Sequence, residues 1–205
     1  TIKAKDWAEI GDTGIINSIT YTVVDDLILS RMILDDEDVS KVCTSRIIDM
    51  NRLFANKTNF NQDISSWDVT NVTDMQSMFN GCENFDQNIG SWNVSNVTNM
   101  IGMFANCQRF NQGLNSWDVN NVLRMDGMFS NNIFLNQDLS SWDTSNVTIM
   151  GSMFEGCKNF NGNISSWDVS KVANFSKMFL NCFKFNQDVS SWVTSNANYL
   201  RRMFY

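Results

Sequence analysis

The chain has 205 residues, a formal net charge of −7 and no histidine or proline. This length is sufficient for one domain with a substantial core. The acidic balance argues against nucleic acid and anionic membrane surfaces as partners, because both are bound through Lys and Arg. No apolar run approaches the ~20 residues that a membrane-spanning helix needs, so we expect no membrane insertion of this segment.

The N-terminal part precedes the regular pattern of the chain. The segment Ile19–Val24 predicts a strand, and Asp25 is expected to cap a helix that follows it. The pair Ile28-Leu29 lies 25 residues before Leu53-Phe54, which belongs to the repeat described next. Residues 1–38 are therefore predicted to be a degenerate first coil that caps the N-terminal end.

From residue 39 onward the sequence repeats with a period of 25 residues. The tryptophans that keep this spacing are Trp67, Trp92, Trp117, Trp142, Trp167 and Trp192. A period of this length predicts a stack of similar supersecondary units, in which each unit is stabilised by its neighbours. The stack is predicted to span 39–205. Its end at Tyr205, inside a coil, indicates either a truncated array or a weak final cap, and end-to-end self-association through an open last coil is a further hypothesis.

The first half of each coil has the spacing of a short strand. In the copy 60–83, Ile64, Trp67 and Val69 follow a Leu-x-x-Leu-x-Leu pattern. Alternation places Trp67 and Val69 inward and their polar neighbours outward. The tryptophans are accordingly predicted to be core residues, although a carbohydrate-stacking ladder is the alternative.

The second half of each coil has the spacing of a short amphipathic helix. Apolar residues at i, i+3, i+4 and i+7 are Met75, Met78, Phe79 and Cys82. Thr73 is the expected N-cap, and Asn80-Gly81 is the expected left-handed stop. The sequence therefore predicts an α/β repeat, a right-handed solenoid with one short strand and one short helix per 25-residue coil.

Two further columns recur in the repeat. The cysteine column consists of Cys82, Cys107, Cys157 and Cys182, with Asn132 filling its gap. We expect buried thiols there, because stacked side chains point in parallel whereas a disulfide needs converging Cβ atoms. The asparagine column is expected to hydrogen-bond backbone in the turns, and it comprises Asn71, Asn96, Asn121, Asn146 and Asn196.

The repeat resembles a known family. The run FNQDISSWDVTNVTDMQSMF, which is 60–79, and its copies are similar to the short tandem repeats of BspA-like leucine-rich-repeat surface proteins. The resemblance covers residues 39–205. It implies a right-handed leucine-rich-repeat-like solenoid that is displayed outside the cell, in bacteria, and serves adhesion or recognition. It implies no catalytic residues.

The outward polar stripe of the predicted strands is the candidate binding surface, since repeat stacks bind partners on extended faces. The predicted ligand-binding residues are Ser66, Asp68, Thr70, Asn93, Ser95, Asp118, Asn120, Asp143, Ser145, Asp168 and Ser170. Ser91, Ser116, Ser141 and Ser166 complete this stripe, which we call the outward ribbon. The alternative is a solvated face that repeats only because the unit was duplicated.

Metal binding is the main chemical alternative at the ribbon. Four carboxylates fall in one column: Asp68, Asp118, Asp143 and Asp168. Stacked like charges repel, and Ca²⁺ with its preference for oxygen ligands could relieve that repulsion. No EF-hand or nonapeptide calcium motif is present, so the sequence favours no cofactor, with calcium as the alternative.

Catalysis is not expected. The absence of histidine excludes Ser-His-Asp and Cys-His schemes, and no carboxylate stands apart from the repeat as a unique site. The sequence therefore predicts a non-enzymatic cell-surface module that binds protein or glycan on a host or neighbouring cell. A structural spacer of a larger surface protein is the alternative. The chain starts at Thr1 without a signal peptide, which indicates a mature form or a fragment.

Overall fold

In a computed structural model that describes residues 1–205, regular secondary structure is confined to the N-terminal part. Its elements are β1 (Thr13–Ile16), β2 (Ile19–Val23), α1 (Asp26–Leu34) and β3 (Val42–Cys43). The three strands form one sheet in the order β1-β2-β3, in which β1 pairs antiparallel with β2 and β3 pairs parallel with β2. The predicted strand at β2 is confirmed.

Helix α1 is capped as the sequence predicts. The Asp25 carboxylate accepts a hydrogen bond from the Ile28 N–H at 2.8 Å, which satisfies one of the free donors of the first turn. Leu29 and Ile33 lie one helical turn apart and are buried on the same face. They join the hydrophobic core of the repeats, so α1 covers the N-terminal end of that core.

Beyond these elements the chain forms a stack of 25-residue coils, which we call the coil stack. At one position of the repeat, each coil forms a parallel bridge to the next, and these residues are Asp49, Asp74, Asn99, Arg124, Ile149, Asn174 and Tyr199. Phe179 and Phe204 form one further bridge. Alternate N–H groups extend the contact, since Met75, Ser77 and Phe79 donate to carbonyls 24 residues ahead at 2.8–3.0 Å. Each coil is thus hydrogen-bonded to its neighbours as well as closed by turns of its own.

The predicted helix in each coil is wrong. Ser77 has a φ of 53° and Gly81 a φ of 79°, whereas a right-handed helix needs a negative φ at every residue. Between the N–H groups that bond to the next coil, those of Met78 and Cys82 close four-residue turns by donating to the carbonyls of Met75 and Phe79. Thr73 therefore caps no helix, and its N–H donates to the Ile48 carbonyl at 3.0 Å. Of the features predicted for this helix and its ends, only the left-handed conformation of Gly81 is confirmed.

The predicted strand in each coil is also wrong. The Asp63 carboxylate accepts from the Ser65 N–H at 2.9 Å, and the Asp68 carboxylate accepts from the Thr70 N–H at 3.2 Å. Such bonds to the backbone two residues ahead fold the chain into Asx turns, which compete with an extended conformation. The Trp67 N–H accordingly closes a turn onto Ile64 at 3.1 Å.

The predicted fold class is therefore corrected. The right-handed α/β solenoid of strand–helix units, with its leucine-rich-repeat likeness, does not form. The molecule contains one nine-residue helix and one three-stranded sheet, and its repeats are coils built from turns. The apolar spacing correctly predicted which side chains point inward, but it did not determine the backbone conformation of the coils.

The core follows the columns of the repeat. A cluster of 49 buried residues extends from Val24 to Phe179. Within it, successive Phe54, Phe79 and Phe104 rings stack at 5.5–5.6 Å between centroids. A fully buried side chain of this size contributes about 2–3 kcal/mol, so the columns hold adjacent coils together. The division of the chain at residues 38 and 39 stays a prediction.

Candidate functional site

The outward ribbon is held by a repeated Asx turn. In successive coils the side-chain oxygens of Asp68, Asn93, Asp118, Asp143 and Asp168 accept a hydrogen bond from the N–H two residues ahead, at 2.9–3.2 Å. At Asp168 the bond from the Ser170 N–H lowers the pKa of the carboxyl, because it stabilises the charged form. The ribbon is therefore built from side chains that already have a local structural role.

Most of the ribbon faces solvent. Asp118, Asp143 and Asp168 are exposed, and each uses only one carboxylate oxygen in its turn. The carbonyls of the preceding serines accept no backbone hydrogen bond, and these serines are Ser91, Ser116, Ser141 and Ser166. A second carboxylate oxygen and an open backbone carbonyl thus recur together from coil to coil.

One coil of the ribbon departs from this exposure. Asp68 is only 3% exposed, because residues 1–8 lie across it; we call them the N-terminal strap. The Ile2 N–H donates to the Ser66 carbonyl at 2.7 Å, and the Lys3 ammonium lies 3.8 Å from the Asp68 carboxylate. The same ammonium donates to the Thr70 hydroxyl at 3.4 Å. Asp68 is thus buried and Ser66 and Thr70 are half-buried, whereas their role in ligand binding stays a prediction.

The strap continues onto the preceding coil. The Ala4 N–H donates to the Ser45 hydroxyl at 3.1 Å, and the Cys43 thiol donates to the Ile2 carbonyl at 3.3 Å. The Arg46 guanidinium then donates to the carbonyls of residues 5, 6 and 8 at 3.1–3.4 Å. The strap therefore occupies two coils through backbone contacts, with one lysine placed on the acidic column.

The acidic column does not form a metal cluster. Asp68, Asp118, Asp143 and Asp168 each belong to a different coil, and Asn93 separates the first from the others. No group of three or more His, Cys, Asp or Glu side chains in the structure is arranged to hold a metal ion. Calcium binding at this column stays the alternative that the sequence left open.

Five tryptophans of the repeat are core residues, as predicted, whereas Trp192 in the last coil is only half-buried. Trp67 is fully buried, and Trp92, Trp117, Trp142 and Trp167 are at most 3% exposed, which excludes them as a carbohydrate-stacking ladder. The indole N–H of Trp92 donates to the Ile64 carbonyl at 3.2 Å, and Trp117, Trp142 and Trp167 make the equivalent bond. Each indole thus joins its coil to the preceding one.

The cysteine and asparagine columns also have structural roles. The Cys82 thiol donates to the Phe54 carbonyl at 3.1 Å, and burial raises its pKa to about 12. The Asn96 amide donates to the Thr70 carbonyl at 2.7 Å, so this column bonds backbone of the preceding coil. Asn132 differs from the cysteines it replaces, because its buried amide has no hydrogen-bond partner.

Among the concavities outside the ribbon, two involve the N-terminal part of the chain. A polar cleft of about 410 Å³ lies between the end of α1 and the first coils, where Asp36, Glu37 and Asn56 surround Phe60. A more apolar groove of about 480 Å³ separates the strap from the sheet and is lined by Trp7. No helix has the length and apolarity that crossing a lipid bilayer requires.

The strap is the part of the site that sequence reasoning missed. Its only local signal is the alternation of Ile2, Lys3, Ala4 and Lys5, which is typical of an extended segment with one polar side. This alternation does not identify the surface that the segment covers. The pairing of Lys3 with Asp68 joins residues 65 positions apart and becomes visible only in three dimensions.

Comparison with known proteins identifies one family. Two matches, at residues 28–133 and 111–205, agree with the family described as "Mycoplasma protein of unknown function, DUF285". Neither the curated proteins nor the solved structures contain a match to the chain. The two matched segments together cover the repeat from residue 28 to the last residue, so the chain belongs to the DUF285 family.

Proposed function

We propose that this chain is a non-enzymatic recognition module of a cell surface, and that its outward ribbon binds protein or glycan. The observation that carries the proposal is the repeated pairing of an exposed carboxylate with an open backbone carbonyl at Asp118, Asp143 and Asp168. The resemblance to BspA-like surface proteins supports the extracellular location and the adhesive role.

The chemistry of the ribbon favours binding over catalysis. General acid–base catalysis requires a group whose pKa is tuned by its surroundings to the proton transfer that it performs. The ribbon carboxylates instead form equivalent turns in successive coils, and the chain contains no histidine. Equivalent groups repeated along a stack are suited to an extended partner, because each contact is weak and many act together.

A structural spacer is the second candidate function. Every acid of the column caps a turn, so the column could exist for folding alone. Replacing the aspartates by asparagine distinguishes the two functions, because the amide oxygen accepts the same hydrogen bond but carries no charge. Asn93 already does so, from the Ser95 N–H at 3.2 Å.

The test is a binding screen of the full chain against arrayed glycans and cell-surface proteins, with Ca²⁺ and with a chelator. For each ligand found, D118N/D143N/D168N is compared with D63N/D138N/D188N, which removes the same number of charges from another column of the repeat. Loss of binding only in the ribbon variant supports recognition by the ribbon. Equal binding by both variants refutes it, and no ligand in either condition favours the spacer.

A further inference from the structure

We propose that the outward ribbon binds extended polypeptide segments that carry lysine at alternate positions, in the manner in which the N-terminal strap covers the coil of Asp68. This inference rests on the proposed function and assigns its ligand class. The argument starts from an occupant that the structure contains, rather than from the acidic column alone.

The strap defines the contacts of a bound segment. A backbone N–H of the segment, that of Ile2, donates to the Ser66 carbonyl at 2.7 Å. The next side chain, Lys3, places its ammonium 3.8 Å from the Asp68 carboxylate. One carbonyl, one carboxylate and one hydroxyl of the coil are thus used by two consecutive residues of an extended chain.

The same groups are open in three later coils. The carbonyls of Ser116, Ser141 and Ser166 accept no backbone hydrogen bond, and the acid two residues later is exposed in each coil. The hydroxyl position of Thr70 is filled by other polar side chains, which are Asn120, Ser145 and Ser170. Asn93 interrupts the charge of the column, so the free acidic part of the ribbon comprises 116–170.

The spacing of the strap determines the pattern of the ligand. The Ile2 N–H bonds to the Ser66 carbonyl, and the Ala4 N–H bonds in the preceding coil to the hydroxyl of Ser45, at the position equivalent to Thr70. Two residues therefore advance the segment by one coil while it crosses the ribbon. Two extended residues span ~6.8 Å. The Phe104 and Phe129 rings of adjacent coils are 5.6 Å apart, so a segment that crosses the stack obliquely keeps this step. Alternate lysines then meet Asp168, Asp143 and Asp118 in turn.

Charge separates this ligand class from others. The ribbon offers acceptors and negative charge, so it suits a chain that supplies N–H donors and ammonium groups. A neutral glycan can use the acceptors but gains nothing from the carboxylate column. Each exposed ion pair strengthens binding by roughly two- to five-fold, so three pairs together give roughly ten- to a hundred-fold.

The test uses two peptides of identical composition, acetyl-Lys-Ala-Lys-Ala-Lys-Ala-amide and acetyl-Lys-Lys-Lys-Ala-Ala-Ala-amide. Each is titrated into the full chain at low salt, and binding is followed by amide chemical shifts. We expect the alternating peptide to bind several-fold more tightly, with shifts at 116–120, 141–145 and 166–170. The variant D118N/D143N/D168N should weaken it about tenfold or more, whereas D63N/D138N/D188N should leave its affinity unchanged.

A second variant tests whether the N-terminal strap is a valid model of the bound segment. Lys3→Glu replaces the attraction to Asp68 by repulsion, so it should release the strap and add shifts of the alternating peptide at 66–70. Equal binding of the two peptides, or equal weakening by the two triple variants, would reveal unspecific attraction to an acidic protein and overturn the inference. A screened ligand that depends on the ribbon but is not displaced by the alternating peptide would leave the proposed function standing and refute the lysine-bearing segment as its ligand.

Discussion

Replacing Asn132 by cysteine should stabilise the protein. Asn132 is fully buried, and neither its amide nitrogen nor its amide oxygen has a hydrogen-bond partner. A buried polar group without a partner costs about 1–3 kcal/mol. At the equivalent position of the preceding coil, the Cys107 thiol donates to the Phe79 carbonyl at 2.9 Å. Asn132→Cys removes the unpaired amide and supplies a thiol to the equivalent carbonyl of Phe104.

The expected gain is therefore about 2 kcal/mol, which corresponds to an increase in Tm of about 4–8 °C for a domain of this size. Urea and thermal unfolding in the presence of reductant measure it, since reductant prevents disulfides with neighbouring thiols. Cys157→Asn is the reciprocal control, because it places an amide at the same position of the next coil and should destabilise by a similar amount. Unchanged midpoints in both variants would refute the reasoning that the amide is unsatisfied.

Three further predictions concern the coil stack. Trp117→Phe should lower the free energy of unfolding by about 1–2 kcal/mol in urea titrations, because the indole bond to the Ile89 carbonyl at 3.1 Å is lost; no change would contradict the role of this bond. Ser152→Gly should raise the same free energy by up to about 1 kcal/mol, because Ser152 has a φ of 55°, which glycine adopts without strain. A lower free energy of unfolding would show that the contacts of the Ser152 side chain outweigh this strain. Stability should fall as pH rises above 9, because burial raises the pKa of Cys82 and Cys182 from 9.0 to about 12 and the unfolded chain loses these protons first. A double serine variant should flatten this decline between pH 8 and pH 9.5 in urea midpoints, and an unchanged slope would assign it to other groups.

The features that the sequence predicted correctly depend on local chemistry or on burial. The Asp25 cap requires only a carboxylate three residues before a free N–H, so a short stretch of sequence is sufficient. The burial of the tryptophan column follows from its apolar register. That register fixes which side chains point inward, whatever backbone carries them.

The features that the sequence did not predict depend on backbone conformation and on distant contacts. The spacing of Met75, Met78, Phe79 and Cys82 fits a helix, but the left-handed conformation of Ser77 allows a coil of turns to bury the same residues. Serine rarely adopts this conformation, so its identity gave no signal. The Asx turns at Asp63 and Asp68 similarly replaced the expected strand.

The balance between acid and amide in the ribbon bears on whether the charge has a function. Asn93 accepts its turn bond at 3.2 Å, the same distance as Asp118, so an amide is sufficient for the turn and the negative charge is not needed for it. The column that contains Asp63 mixes acids and amides in the same way, so this argument does not distinguish the two columns by itself. The other column has a lysine only at Asp38, where Lys41 is a neighbour three residues along the chain, whereas Asp68 of the ribbon is contacted by Lys3 from a distant segment. That contact is the reason why the ribbon is the proposed site and why the other column provides the matched control.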